Sequence, residues 1–137
     1  EFIRPIQKMQ QNLFICANSA VQRAGIAALR ETAEDVSRMR RTYDERRRFM
    51  IRRLRELGFG IATEPTGAFY VFANARHISS DSYDLAFDIL EKAHVGVTPG
   101  VDFGTNGEGY LRFSYASSLS RIAEGLSRVE RYLENRR

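Results

Sequence analysis

One arginine in this 137-residue chain stands where it could do chemistry. Arg112 lies in Tyr110-Leu111-Arg112-Phe113-Ser114-Tyr115, near the end of a stretch, VGVTPGVDFGTNGEGYLRFSYA, that runs from Val95 to Ala116. Alternation along a strand sends Leu111, Phe113 and Tyr115 to one face, toward a core, and Tyr110, Arg112 and Ser114 to the other. A cation inside a strand of core-forming residues must be paired or must face a wet cavity. Its planar five-donor fork suits a carboxylate or phosphate held by two parallel hydrogen bonds. The alternative is a structural arginine paired with an acid on a neighbouring strand. Alternation alone does not separate the two.

The other reactive residue types carry less. The loop GTNGEG has glycines but neither the lysine and hydroxyl of a P-loop nor the spacing of a dinucleotide fingerprint. It leads into a strand, whereas phosphate-binding loops open a helix N-terminus, so it is read as a shaped turn before Arg112. His77 and His94 lie far apart, without ligand spacing to a cysteine or carboxylate, and predict no metal site. Asp81, Asp84 and Asp88 share one side of a helix and read as a solvated face. The lone Cys16 has no cationic or histidine neighbour in sequence to activate it as a nucleophile. Only Lys8 and Lys92 could serve chemistry that needs a lysine.

Composition bounds the answer. A hydrophobic content of 43% is enough for an ordinary core. The net charge of +4 is too small to argue for nucleic acid by itself. A single cysteine excludes an internal disulfide, and fits a reducing compartment and a cytoplasmic location. No stretch has the uninterrupted apolar length of a membrane span. The chain opens on Glu1-Phe2-Ile3 without a methionine, inside an apolar segment, as expected of a fragment or a processed product.

The elements that must position Arg112 follow from period and punctuation. The first segment, 1–18, has no clean period, and Pro5 limits any early helix. Asn18 or Ser19 caps a thin, alanine-rich helix to about Glu31. Thr32-x-x-Asp35 resembles a capping box opening a long helix, about Glu34 to Leu57, stopped by Gly58. Its apolar stripe is Val36, Met39, Tyr43, Met50, Leu54 and Leu57. Nine arginines between Arg38 and Arg55 scatter over the remaining angles, where a groove-reading helix would gather them on one face, so the solvated reading is preferred.

Strands are predicted at Phe59–Thr63 and Ala68–Ala73, joined through Pro65 and Gly67, the second central and covered on both sides. Asp81 or Ser80 caps a third helix burying Leu85, Ala86, Ile89, Leu90 and Ala93. A short run at Val95 and the Arg112 strand follow. Ser118 or Ser120 then caps a last helix with Leu119, Ile122, Leu126, Val129 and Leu133 on its buried face. The order gives an α/β (α+β) fold, a small mixed or antiparallel sheet with helices packed on one face. Arg112 then looks out of the uncovered face toward a cleft that a second domain could close.

Four segments in order resemble the class I/II, fold type I pyridoxal-phosphate-dependent aminotransferases. They are PGVDFG-x3-EGYLRFSYA, NLFICANSAVQRAGIAAL, Tyr43-x-x-Arg46-Arg47 with Leu57-Gly58, and PTGAFYVF from Pro65 to Phe72. The resemblance implies that Arg112 binds the α-carboxylate of an amino-acid or 2-oxo-acid substrate, and that Phe69 and the Pro99–Gly104 loop sit near its side chain. It implies residues 1–33 as the end of the large domain and 34–137 as the small domain, which swings to close the site. A homodimer is implied too. The family's cofactor lysine stands in a Ser-x-Ser-Lys motif that is missing here, and Lys8 does not match it. The lysine, the aspartate on the pyridine nitrogen and the phosphate ligands are therefore expected upstream of Glu1, so that this chain holds no catalytic or cofactor-binding residue and neither binds pyridoxal phosphate nor transaminates alone.

Three rivals share parts of this pattern. A lyase or synthase of the same fold would keep a similar small domain. A stand-alone carboxylate-binding module would use Arg112 without chemistry and begin naturally near Glu1. A basic nucleic-acid module on the long helix would bind duplex tightly and salt-sensitively.

Overall fold

The computed structural model describes residues 1–136, so Arg137, the last residue of the expected second domain, lies outside them. The chain divides into two compact units, Glu1–Met39 and Arg40–Arg137. In the first, α1 spans Ile3–Leu13 and α2 spans Ser19–Arg30. Pro5, expected to limit an early helix, limits only where it starts. Pro5 sits in the first turn of α1, where its missing N–H leaves no helical bond unmade. Asn18 caps α2 as expected, accepting from the Ala20 N–H at 2.8 Å. The Thr32 hydroxyl points back along α2, donating to the Ala28 carbonyl at 2.6 Å, so the proposed capping box gives way to a local bond.

No residue of α1 or α2 is buried. Phe2, Ile3, Ile6, Met9, Leu13 and Phe14 all stand in solvent, as do Val21 and Leu29. Apolar exposure on that scale is characteristic of a binding surface.

The long helix α3, Ala33–Glu56, begins in the first unit and runs into the second. Its stripe is buried only toward the C-terminus, at Met50, Ile51 and Leu54, while Val36 and Met39 stay half exposed. Gly58 stops it as predicted. At φ +90° it donates to the Arg55 carbonyl, and Phe59 donates to that of Leu54, both at 3.0 Å. This Schellman closure brings Phe59 and Leu54 into the core together. It also ends the predicted Phe59–Thr63 strand. Phe59 spends its N–H on the helix, and only Gly60 is left to pair, in a single bridge with Asn74.

The sheet is antiparallel and three-stranded, in the order β1-β3-β2, with β1 Tyr70–Asn74, β2 Thr98–Pro99 and β3 Tyr110–Ser114. The first strand starts later than expected because Ala68 takes a left-handed φ of +60°. It is also an edge strand, with Tyr70 and Phe72 on an incompletely covered face, rather than the central strand its double-sided apolarity suggested. Val71, Ala73, Leu111, Phe113 and Tyr115 fill the other face and join α3, α4 (Ser82–Ala93) and α5 (Leu119–Arg136) in one core. Each fully buried leucine or valine there contributes about 1.5–3 kcal/mol.

Asp81 caps α4, accepting from the Asp84 N–H at 2.9 Å, and Ser118 caps α5, accepting from Arg121 at 3.3 Å. On α4 the buried arc is Ser82, Leu85, Ala86, Ile89 and Ala93, so Leu90 falls outside it, 45% exposed. Among the described residues no helix is long and apolar enough to cross a membrane.

The bare apolar residues of the first unit predict that the chain self-associates. Light scattering over a concentration series should give a mass above 15.7 kDa that rises with concentration. A monomer throughout would contradict this.

Candidate carboxylate site

The approach to Arg112 is built by a turn that closes on itself. Gly100–Phe103 and Thr105–Gly107 are short 3-10 turns. Where they cross, a Cβ on Gly100 would lie 2.0 Å from the Gly107 carbonyl oxygen, so only glycine fits. Glu108 then ties the turn to α4. Its Oε1 accepts from the backbone N–H of Ser82 at 2.7 Å and of Gly109 at 2.8 Å. The buried Ser82 hydroxyl accepts from Val101 N–H at 3.2 Å. These bonds, from Ser82 first and Gly109 after, hold the Glu108 carboxyl below its ordinary pKa. On the far side, Arg76 donates to the Glu108 carbonyl at 3.0 and 3.2 Å and covers the Tyr110 ring. The glycine loop is thus a shaped turn, as the sequence suggested.

On β3, Arg112 pairs in register with Phe72 of β1 on one side and Thr98 of β2 on the other. Its guanidinium is half-buried on the face away from the helices. Nη2 donates to the Thr98 hydroxyl at 3.0 Å. The guanidinium carbon lies 5.2 Å from the Tyr70 ring centre and 5.0 Å from that of Phe103. Phe72 stacks on Tyr110 at 4.9 Å and meets Phe103 edge-on at 5.8 Å, so the cation sits in a wall of rings. Nε is buried with no hydrogen-bond partner.

Among the described residues no carboxylate pairs with Arg112. Two cation–π contacts contribute about 0.5–1 kcal/mol each. They do not neutralise the charge, and an orphaned buried donor costs about 1–3 kcal/mol. Nη1 and the second Nη2 hydrogen remain for an incoming anion, donors of the kind that grip a carboxylate. A ligand carboxylate would supply the counter-charge that the fold omits.

The other candidates do not join this site. Lys92 pairs with Asp88 at 2.6 Å on the helix side, where Tyr132 and Arg136 also donate to Asp88. Asp88 therefore belongs to an ion-pair cluster and not to a bare solvated face. Lys8 is exposed on α1, in the first unit. Cys16 is free and exposed. His94 is the left-handed C-cap of α4, and His77 meets the Phe59 ring. No group of three metal-binding side chains occurs among the described residues. Of the nine α3 arginines, Arg38, Arg47, Arg48, Arg52, Arg53 and Arg55 lie in ion pairs with nearby acids. Phe69 packs edge-on to Tyr70, one ring removed from Arg112, whereas Phe103 of the Pro99–Gly104 loop touches it directly. Thr98, Tyr70 and Glu108 are the site residues that sequence reasoning missed. The signal for Thr98 was its place before Pro99 in a run too short to show a period.

This fold, a three-stranded antiparallel sheet backed by helices with Arg112 on its other face, is that of an aminotransferase segment. The family description aminotransferase class I and II matches residues 1–129, and the chain belongs to that family. It is 39% identical over 134 residues to a (5-formylfuran-3-yl)methyl phosphate transaminase of Methanocaldococcus jannaschii, covering 97% of this chain and 35% of the relative. It is 40% identical over 136 residues to an aspartate aminotransferase of Pyrococcus horikoshii, covering 98% and 35%. Among solved structures, an aromatic aminotransferase of Pyrococcus horikoshii superposes with a TM-score of 0.88 at 37% identity, over 94% of this chain and 35% of that one. The chain thus spans about a third of the length of the relatives it matches.

The depressed Glu108 pKa carries a sign. Its stabilising effect is present above the unfolded value of roughly 4.3 and is lost as pH falls through the lower folded value. Thermal scans at stepped pH should show the midpoint falling on the acid side, with Asp44, Asp88 and Glu124, also depressed, sharing the effect. Glu108→Gln should flatten that acid limb. Parallel profiles for the two proteins would contradict the role given to Glu108.

Proposed function

We propose that this chain is the part of a pyridoxal-phosphate-dependent aminotransferase that grips the substrate α-carboxylate, with Arg112 as the ligand. The whole protein would transfer an amino group between an amino acid and a 2-oxo acid, as a homodimer. Residues 1–33 would complete the large domain and 34–137 would form the small one. The observation that carries this reading is the half-buried guanidinium of Arg112, held by a hydroxyl and two rings with no acid paired to it among the described residues. Membership of the family gives that cation a natural anion.

The role of Arg112 is binding and orientation. Two parallel hydrogen bonds to one carboxylate leave the substrate little rotational freedom, so its Cα is presented in one pose. Tyr70 and Phe103 exclude water from the guanidinium and strengthen its pull on the anion.

The cofactor is another matter. The residues around Arg112 do not fit pyridoxal phosphate, since they are aromatic rings and a threonine, with no lysine to hold its aldehyde. Lys92 is committed to Asp88 on the helix side. The chain alone is therefore expected neither to bind the cofactor nor to transaminate. Adding pyridoxal phosphate should leave the spectrum that of free cofactor, and a bound-cofactor absorbance band would contradict this.

Binding of pyruvate to the chain, followed by saturation-transfer NMR of the pyruvate methyl signal, tests the carboxylate role. Arg112→Gln should weaken it by tenfold or more, about the value of a bidentate charged hydrogen bond. Unchanged binding in that variant would remove Arg112 from the role.

A further inference from the structure

Three contacts hold the Arg112 guanidinium, and they are unequal in kind. The rings of Tyr70 and Phe103 attract it through their faces. A ring face is nearly indifferent to rotation of the cation in its own plane, so these contacts fix position but not direction. Nε is buried without a partner and fixes nothing. The bond from Nη2 to the Thr98 hydroxyl, at 3.0 Å, is the one directional contact among the described residues.

Thr98 is itself unusually constrained. It stands opposite Arg112 in the β2–β3 register. Pro99 follows it and pushes its backbone into the extended region. Its β-branched side chain allows few χ1 rotamers. Beyond Pro99 the chain is pinned by the crossing of Gly100 and Gly107. The second strand has only two residues, and Pro99 can donate nothing to its ladder. Such a strand adds little to the sheet as a ladder, and what it delivers is a rigid hydroxyl beside the arginine.

We infer that Thr98 is a positioning residue for Arg112, setting the rotation of the guanidinium so that Nη1 and the remaining Nη2 hydrogen face the incoming carboxylate. This rests on the reading of Arg112 as the carboxylate ligand. Thr98 acts through the arginine by reducing the orientations it must give up on binding.

The experiment compares the wild-type chain with Thr98→Val, Thr98→Ser and Arg112→Gln. Val keeps the branch and the extended preference but removes the acceptor. Pyruvate affinity is measured on each, and the rotation rate of the Arg112 guanidinium, read from 15N exchange of its Nη signals, on the three chains that keep the arginine. Thr98→Val should bind about tenfold more weakly, the scale of one hydrogen bond to a charged group, and its guanidinium should rotate faster at an unchanged melting temperature. Thr98→Ser should restore both. If Thr98→Val binds and rotates like wild type while Arg112→Gln fails to bind, Thr98 has no positioning role and the carboxylate reading stands. If Arg112→Gln binds like wild type, both readings fall. Should Thr98→Val not fold, the ligand-free wild type decides: slow rotation of its guanidinium supports the role, and free rotation overturns it.

Discussion

A guanidinium kept half-buried without a counter-charge among the described residues is the constraint on which the rest of the second unit depends. Burying a cation in this way is unfavourable unless the surroundings are well adapted to it. Here the adaptation is spread over three strands: Phe72 and Tyr70 from β1, Arg112 on β3, and Thr98 from β2. The helices of this unit close over Val71, Leu111, Phe113 and Tyr115, so the core that stabilises it and the face that presents Arg112 are two sides of the same five-residue strands. Period-two alternation makes this separation possible, because neighbouring residues of β3 serve opposite needs.

The turn before β3 supplies the rest of the order. Gly100 and Gly107 cross so closely that no side chain fits, and Glu108 joins the turn to the first turn of α4 through Ser82. Phe103 is thereby carried over the arginine, partly covering a face that the sequence left open for a second domain to close. The aminotransferase relatives are about three times as long as this chain. Under the proposed reading this chain would supply carboxylate recognition, and among the described residues no lysine stands beside Arg112.

Local signals in the sequence were legible and non-local ones were not. The Gly58 stop, the Asn18 and Asp81 caps and the inward set Leu111, Phe113 and Tyr115 each depend on a few neighbouring residues, and each formed as expected. Pro5 left the extent of the first helix open, because a proline's effect depends on whether it falls in the first turn or deeper in a helix. The strand at Phe59 failed because Phe59 served the end of α3 first. Leu90 was placed in the core because its apolarity outweighed a small difference in angle, and the buried Ser82 was missed because its bonds come from Val101 and Glu108, far along the chain. The surroundings of Arg112 are likewise products of strand register. Thr98 lies 14 residues away and Tyr70 further still, and no local pattern places either beside the arginine. Family resemblance suggested a role for the arginine, and the geometry identified what holds it.

The central claim is that this cation is displayed to receive an organic acid, and a structure of the chain determined with pyruvate tests it most directly. The account requires the carboxylate to lie about 2.7–2.9 Å from Nη1 and Nη2 of Arg112, with Thr98 still bonded to the same guanidinium. A carboxylate bound elsewhere, or an Arg112 side chain turned into the core and locked to an internal acid, would contradict it.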